Sequence, residues 1–190
     1  MNRRRLSHRQ YRRILLLLII LWMGCIYTFS GRDGNRSTED STRVGRAVCQ
    51  LFVPGYRSWS KDRQYALAVK IDHPVRKTAH ATEYAVLGML FFGFFYHEMW
   101  EKLYSAKEKD GGFFYLKLLC VKAWVAGTVY AGTDEYHQLF VPGRSGQFSD
   151  ILIDSSGVLC GVLILLMITL IRKGRRHWKI NDTVNQSQKG

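Results

Sequence analysis

Four apolar runs with charged borders limit what this chain can fold into more than any other feature. They cover residues 14–30, 79–97, 113–133 and 151–171. A helix of about 17 to 25 predominantly apolar residues is long enough to cross the hydrocarbon core of a bilayer. The mean hydropathy of the whole chain is nevertheless only -0.13, because basic blocks separate the runs. The sequence therefore predicts an all-α integral membrane bundle of about four transmembrane helices.

The basic blocks indicate how these helices are oriented. Residues 1–13 form a tail with six arginines and no acidic residue, and residues 172–190 form a second basic tail. Because basic flanks stay in the cytoplasm, we expect a multi-pass protein of the cell membrane with both termini cytoplasmic. The first run also has the layout of a cleaved signal peptide. We expect it to be retained as the first transmembrane helix, because the later runs already make the protein integral.

Residues 31–78 are polar and form a predicted extracytoplasmic loop. The first part, GRDGNRSTEDST at residues 31–42, is rich in turn-forming residues and predicts an exposed loop. We expect Cys49 to meet water, because the other three cysteines lie within apolar runs. Ser60 can cap an amphipathic helix that begins at Lys61. This outer-side helix would lie on the membrane surface or pack as an ordinary helix on the domain.

One hexapeptide occurs twice, since QLFVPG stands at residues 50–55 and again at residues 138–143. No fixed period follows, so the repeat does not predict a solenoid. Both copies lie on the predicted outer side. One interpretation is a turn at the membrane interface, with Leu and Phe in lipid and Pro-Gly setting the bend. The other interpretation is coincidence or a local duplication.

The net charge of +13 is typical of nucleic-acid-binding proteins, but no groove-entering motif accompanies it. The arginines cluster beside apolar runs, where membrane topology accounts for them. We therefore expect membrane lipids as partners and no nucleic acid. The chain lacks a GxSxG motif and a Walker-type loop, which disfavours a serine hydrolase or an NTPase. Nothing in the sequence predicts a cofactor.

Polar and small residues at helical spacing lie at the outer ends of three predicted helices. The fourth helix has them at i, i+4, i+7 and i+11, namely Asp150, Asp154, Gly157 and Gly161. Small residues at this spacing allow a second helix to approach closely. Comparable stripes occur on the second helix (Lys77, His80, Tyr84 and Gly88, with Glu83 beside them) and on the third (Ala131, Asp134 and Gln138, with Glu135 beside them). Because the three stripes lie at the same depth, we expect one buried polar cluster.

Three interpretations of this cluster are open. Arg144 and Lys77 can pair with the carboxylates, so the cluster could be a salt-bridge network that only pins helix ends. Alternatively, the cluster could carry out acid-base chemistry, with His80 as proton carrier and Glu83 or Glu135 as base. Whether the protein is an enzyme therefore stays open. Donors for a metal site are present, but without HExxH or similar spacing we assign no metal to them. These donors are His80, Glu83, Asp134, Glu135 and His137.

Taken together, these residues resemble the VanZ-like family. The resemblance covers roughly Arg76 to Ile171 and rests on a combined pattern: Lys77-x-x-His80, Glu83-Tyr84, Asp134-Glu135-x-x-Gln138-x-Phe140, Pro142-Gly143-Arg144, Asp150, and Gly157 with Gly161. It implies a small multi-helix membrane protein of the bacterial cell envelope with its core at residues 79–171. Founding members of the family are associated with reduced susceptibility to the glycopeptide antibiotic teicoplanin. One departure is Asp154, which stands where the family's fourth-helix motif usually carries asparagine.

From the resemblance we expect an envelope factor with a polar site at the outer leaflet, linked to glycopeptide resistance. Lipid-linked envelope precursors or the glycopeptide itself are the candidate ligands, because their phosphates and carboxylates suit cationic side chains. The alternatives are an enzyme acting on an envelope lipid or glycan precursor, and a structural or partner-binding membrane protein. The predicted binding residues are Lys77, His80, Tyr84, Asp134, Glu135, Gln138, Arg144 and Asp150.

Overall fold

A computed structural model of the chain describes residues 6–105 and 111–187. Over these residues the structure is helical and contains no strand, which confirms the predicted all-α class for this part of the chain. Residues 1–5 of the predicted basic tail, residues 106–110 of the connector after the second apolar run and residues 188–190 lie outside the described residues. The α-helices are α1 (His8–Ser30), α2 (Gly34–Phe52), α3 (Lys61–Lys70), α4 (Asp72–Glu98), α5 (Trp100–Ser105), α6 (Gly111–Gln138) and α7 (Phe148–Ser187).

The long helices α1, α4, α6 and α7 form an up-and-down bundle. Two contacts place the start of α1 beside the end of α4, since His8 Nδ1 lies 2.8 Å from His97 Nδ1 and the His8 ring stacks on that of Trp100. At the opposite end, the Ser30 hydroxyl donates to Asp134 at 2.7 Å and so joins the end of α1 to the end of α6. We call this the Ser30 end of the bundle. The starts of α4 and α7 also lie there.

Within residues 6–105 and 111–187, three helices are long and apolar enough to cross a membrane: His8–Ser30, Gly112–Gln138 and Phe148–Arg175. Helix α4 contains the second predicted crossing but is not among them. It contacts α1, α6 and α7, and Leu87, Gly88 and Phe92 on it are buried. A helix surrounded by other helices can carry more polar residues than one that faces lipid on most sides. The structure therefore supports a membrane bundle with three apolar spans, while the fourth crossing stays a prediction.

Helices α4 and α7 approach each other closely where glycines face the partner backbone. A Cβ atom built on Gly157 would overlap the carbonyl oxygen of Ala81, and one on Gly161 would overlap that of Ala85. In the reverse direction, a Cβ on Gly88 would overlap the carbonyl oxygen of Val158. The predicted small-residue stripe of the fourth helix thus faces another helix, as expected from its spacing.

The loop predicted at residues 31–42 is wrong, because α2 begins at Gly34. The Asp33 side chain caps the helix by accepting a hydrogen bond from the Arg36 backbone N–H at 2.8 Å. One face of α2 is made of small residues and packs beside the start of α4, where the Ser41 hydroxyl donates to Asp72. Cys49 lies on the same face and is buried, so its predicted exposure is also wrong. Turn-forming composition was misleading here, since small polar residues also suit a helix in close contact with another.

The predicted helix at Lys61 is present as α3. The Ser60 hydroxyl accepts from the Arg63 backbone N–H at 3.4 Å, in the expected capping arrangement. Ala68 on α3 is fully buried, whereas Tyr65 and Val69 are exposed. Helices α2 and α3 therefore pack together as a hairpin joined to the start of α4.

Candidate functional site

A polar cavity of about 200 Å³ opens at the Ser30 end of the bundle. Helices α4, α6 and α7 and the segment between α6 and α7 all contribute to its wall. The polar lining residues are His73, Arg76, Lys77 and His80 from α4, Glu135 and Gln138 from α6, Arg144, Ser145 and Gln147 from the segment, and Asp150 and Asp154 from α7. Side chains from distant parts of the sequence therefore meet in one cavity, which we call the Ser30-end cavity.

Ion pairs order the cationic side of this cavity. Lys77 Nζ lies 2.7 Å from Asp150 Oδ1 and links the second turn of α4 to the first turn of α7. Arg76 pairs with Asp72 one turn earlier on α4, at 3.0 Å. Both pairs are only partly exposed. Lysine and arginine have more N–H donors than one ion pair uses, so Lys77 and Arg76 keep donors for the cavity while their charges are partly balanced.

Glu135 and Gln138 form the floor contributed by α6, and both side chains are buried. One Glu135 oxygen accepts from the Gln138 side-chain amide at 3.0 Å, and the other accepts from the Gln147 backbone N–H at 3.0 Å. Both carboxylate oxygens thus have a donor. The second bond also fixes the start of α7 against the end of α6, because Gln147 directly precedes α7.

Arg144 connects the cavity to the rest of the Ser30 end. Its guanidinium donates to the carbonyl oxygen of Arg32 at 3.1 Å and to the Ser37 hydroxyl at 2.9 Å. Longer contacts of 3.4 Å reach the carbonyl oxygen of Phe29 and the Gln138 side chain. Burial lowers the pKa of Arg144, and the neighbouring charge of Arg76 lowers it further. A fork of several donors is needed to reach all these acceptors, which a lysine could not reproduce.

The carboxylates of Asp134 and Glu83 lie behind the cavity wall, whereas His80, which lies beside Glu83, lines the cavity. Asp134 is 2% exposed and is held by Ser30. His80 Nδ1 and Glu83 Oε2 lie 3.7 Å apart, one helical turn from each other on α4. Both atoms are buried and have no hydrogen-bond partner among the described residues. An unsatisfied buried pair of this kind is costly and is one of the features that mark functional positions.

The structure brings most of the predicted site residues together. Six of them line the Ser30-end cavity, namely Lys77, His80, Glu135, Gln138, Arg144 and Asp150. The other predicted residues, Glu83, Tyr84 and Asp134, are not among the lining residues. Tyr84 is fully buried in the bundle core. Its ring lies 6.1 Å from that of Tyr130 on α6.

Sequence reasoning missed several residues of the cavity wall. His73 and Arg76 line it but were not predicted. Their spacing contained a usable signal, because positions 73, 76, 77 and 80 lie on one face of a helix. Gln147 contributes through its backbone N–H, for which no side-chain pattern exists. Asp154 was expected in the polar cluster as a carboxylate partner of Arg144 and Lys77 but was not among the predicted binding residues, and it lines the cavity.

Chemically, the cavity combines cationic and carboxylate groups in one partly enclosed space. Arg76, Lys77 and Arg144 supply donors for an anionic group, while the carboxylates opposite them can accept from a cation or a hydroxyl. In the part of the chain that the structure describes, no three His, Cys, Asp or Glu side chains are placed to hold a metal ion. The arrangement suits recognition of a polar, charged ligand or proton transfer to one.

The helical bundle with apolar spans and a polar cavity at one end defines a class of small multi-helix membrane protein. Comparison with protein-family models identifies it further, because the VanZ/LLP1 family model matches residues 15–171. The chain therefore belongs to the VanZ/LLP1 family. The match includes α1 from residue 15 onward and all of α2, and so extends well beyond the region that carried the sequence resemblance. Searches of curated proteins and of solved structures found no match.

Proposed function

We propose that this protein is a four-crossing envelope protein that lowers susceptibility to glycopeptide antibiotics such as teicoplanin. It would do so by binding the charged group of a lipid-linked envelope precursor in the Ser30-end cavity. The observation that carries this proposal is that three cationic side chains, Arg76, Lys77 and Arg144, line this one cavity at the Ser30 end of the bundle. Charge-assisted hydrogen bonds to phosphate or carboxylate are about twice as strong as neutral ones.

The proposal requires the cavity to open at the outer leaflet. Helix α4 runs antiparallel beside α1, since His97 lies against His8 and the Trp22 side chain donates to the Glu83 carbonyl oxygen at 2.9 Å. If α1 crosses the bilayer, α4 therefore crosses it too. Four crossings place both termini on one side, and the basic tails favour the cytoplasm.

This topology can be tested by cysteine labelling of intact cells. Ser145→Cys at the cavity mouth should react with a membrane-impermeant maleimide, whereas Gly174→Cys beyond the apolar part of α7 should react only after permeabilisation. The unsubstituted protein gives the background from its four native cysteines. Labelling of Gly174→Cys and not of Ser145→Cys in intact cells would show that the topology is the reverse of the proposed one. The cavity would then open on the cytoplasmic side, and the proposal of an outer-leaflet site would be refuted.

The resistance function is tested by comparing teicoplanin susceptibility with and without the gene. Deletion should lower the minimum inhibitory concentration and overproduction should raise it. Arg144→Lys should behave like the deletion at normal protein level, because lysine keeps the charge but loses the planar fork of donors. Arg36→Lys is the matched control, since Arg36 is exposed and is not among the residues that line the cavity. Unchanged susceptibility on deletion and on overproduction would refute the proposal.

A second candidate function is an enzyme acting on an envelope lipid or glycan precursor. The specific observation in its favour is the buried pair of His80 Nδ1 and Glu83 Oε2, which lie 3.7 Å apart and have no hydrogen-bond partner among the described residues. In that case His80→Gln and Glu83→Gln should each abolish turnover of an envelope lipid extract by the purified protein. Retained binding of the precursor without any product, in the parent and in both variants, would favour the binding function.

The third possibility, a purely helix-pinning network, predicts a different outcome. Substitutions in the cavity wall would then reduce the amount of folded protein and change susceptibility only in proportion to that loss. Measuring protein level by immunoblot beside each susceptibility value separates this possibility from the other two.

A further inference from the structure

The two copies of the hexapeptide QLFVPG finish in the same turn. Each copy begins at the end of a helix and finishes in a turn with a positive φ angle at its glycine, 71° at Gly55 and 73° at Gly143. Each turn is closed by the same hydrogen bond. The residue after glycine donates its backbone N–H to the carbonyl oxygen of valine, at 3.2 Å in the first copy and 3.1 Å in the second. This geometry, with Pro followed by Gly, is that of a type II turn.

The same two side chains point away from the protein in both copies. Leu51 and Phe52 are each 78% exposed, and Leu139 and Phe140 are 57% and 70% exposed. The valine that follows them turns inward in the second copy, where Val141 is buried. Two adjacent large apolar residues that are mostly exposed, each time directly before the same turn, are typical of a surface that contacts a membrane or another protein.

The second copy begins at the end of an apolar span, and the surface of a membrane crossed by that span would lie at its level. Phe140 follows the end of α6 by two residues, and α6 contains one of the apolar spans. The carbonyl oxygen of Pro142 accepts from the Gly34 backbone N–H at 3.1 Å. The start of α2 is therefore fixed at the same level as the second turn.

Helix α2 has the pattern of a helix that lies in a membrane interface. Val44, Val48, Leu51 and Phe52 are exposed and follow one another at helical spacing, so they form one apolar stripe. Arg43, Arg46 and Gln50 lie on the opposite side of the helix and are exposed as well. Such a helix places its apolar face about 5 to 10 Å into the boundary between headgroups and acyl chains.

We propose that the two QLFVPG turns are paired lipid anchors that hold the α2–α3 hairpin flat on an anionic phospholipid surface. Leu51 with Phe52 and Leu139 with Phe140 enter the same leaflet. Residues 31–70 contain eight basic and four acidic residues, an excess that complements anionic headgroups. This role is independent of the ligand of the Ser30-end cavity and of the side of the membrane on which the cavity opens.

Fluorescence quenching in reconstituted vesicles tests the proposal. The full-length protein is reconstituted as Phe52→Trp or Phe140→Trp in phosphatidylcholine with brominated acyl chains, and each signal is compared with that of the parent. We expect the added fluorescence of both variants to be quenched by the brominated lipid and to be insensitive to acrylamide. Gln50→Trp is the matched control on the opposite face of α2 and should respond to acrylamide alone.

Two results would overturn the proposal. Quenching of Phe52→Trp by acrylamide and not by brominated lipid would place the first turn in water. Protection of Phe52→Trp from both quenchers would place the turn against protein, such as a second copy of the chain. The anionic preference is tested by adding phosphatidylglycerol to the vesicles, which should increase quenching of Phe52→Trp by the brominated lipid. No increase would refute that part of the inference.

Discussion

The ammonium group of Lys77 lies 2.7 Å from a carboxylate oxygen of Asp150, although 73 residues separate the two in sequence. Lys77 is in the second turn of α4 and Asp150 is in the first turn of α7. Their contact brings the starts of two helices together at the rim of the Ser30-end cavity. Because both side chains are partly exposed, the pair contributes more to the position of these groups than to the stability of the bundle.

We expect Lys77→Gln and Asp150→Asn each to lower the free energy of unfolding slightly. The double variant should lose less free energy of unfolding than the sum of the two single losses. A coupling free energy of about 0.3 to 1 kcal/mol is typical of such a pair. Thermal unfolding of the purified variants in one detergent measures it. Strict additivity of the two losses would show that the pair is not formed in the folded protein.

Substitution at Gly161 should destabilise the contact between α4 and α7. The Cβ of Gly161→Ala would overlap the backbone carbonyl oxygen of Ala85, which cannot move without shifting α4. Overpacking of this kind typically costs about 1 to 3 kcal/mol. The matched control is Gly174→Ala on the same helix, where a Cβ would meet nothing within 4 Å. Equal thermal stability of the two variants would contradict the close approach of these helices.

Gly55→Ala and Gly143→Ala should each destabilise the protein because alanine is strained at positive φ. The left-handed region costs an ordinary residue about 1 to 2 kcal/mol. Gly132→Ala is the control, since Gly132 lies in α6 and a Cβ there would meet nothing within 4 Å. Thermal unfolding should rank the control above both turn variants. A turn variant as stable as the control would mean that its glycine is not held at positive φ.

Arg144→Lys should loosen the segment between α6 and α7. Lysine carries the charge but cannot donate at the same time to the Arg32 carbonyl oxygen and the Ser37 hydroxyl. We expect faster cleavage of this segment by limited proteolysis, with the helical content by circular dichroism unchanged. Ser37→Ala removes only one of these acceptors and should have a smaller effect in the same direction. Equal cleavage of Arg144→Lys and the parent would show that the arginine does not hold the segment.

The polar site was predictable to the extent that helical spacing determines which side chains share a face. Lys77, His80 and Glu135 were found in this way, and all three line the cavity. Spacing along one helix does not determine which part of its polar face meets a neighbour. For that reason Asp134 was expected in the site but lies behind it, bonded to Ser30, whereas Arg76 was not expected and lies in the wall.

The sequence alone determined the apolar helices, the serine cap of α3, and the glycine stripe of α7, because each depends on local spacing or on hydrophobicity. Only the tertiary structure decided that residues 34–52 form a helix, since its small polar residues are helical through contact with the start of α4. The structure also decided that the two QLFVPG copies share one turn and that Phe52 and Phe140 both face outward. Exposure is a property of the packed molecule, and identical hexapeptides acquire the same role only where the surrounding fold leaves the same side chains uncovered.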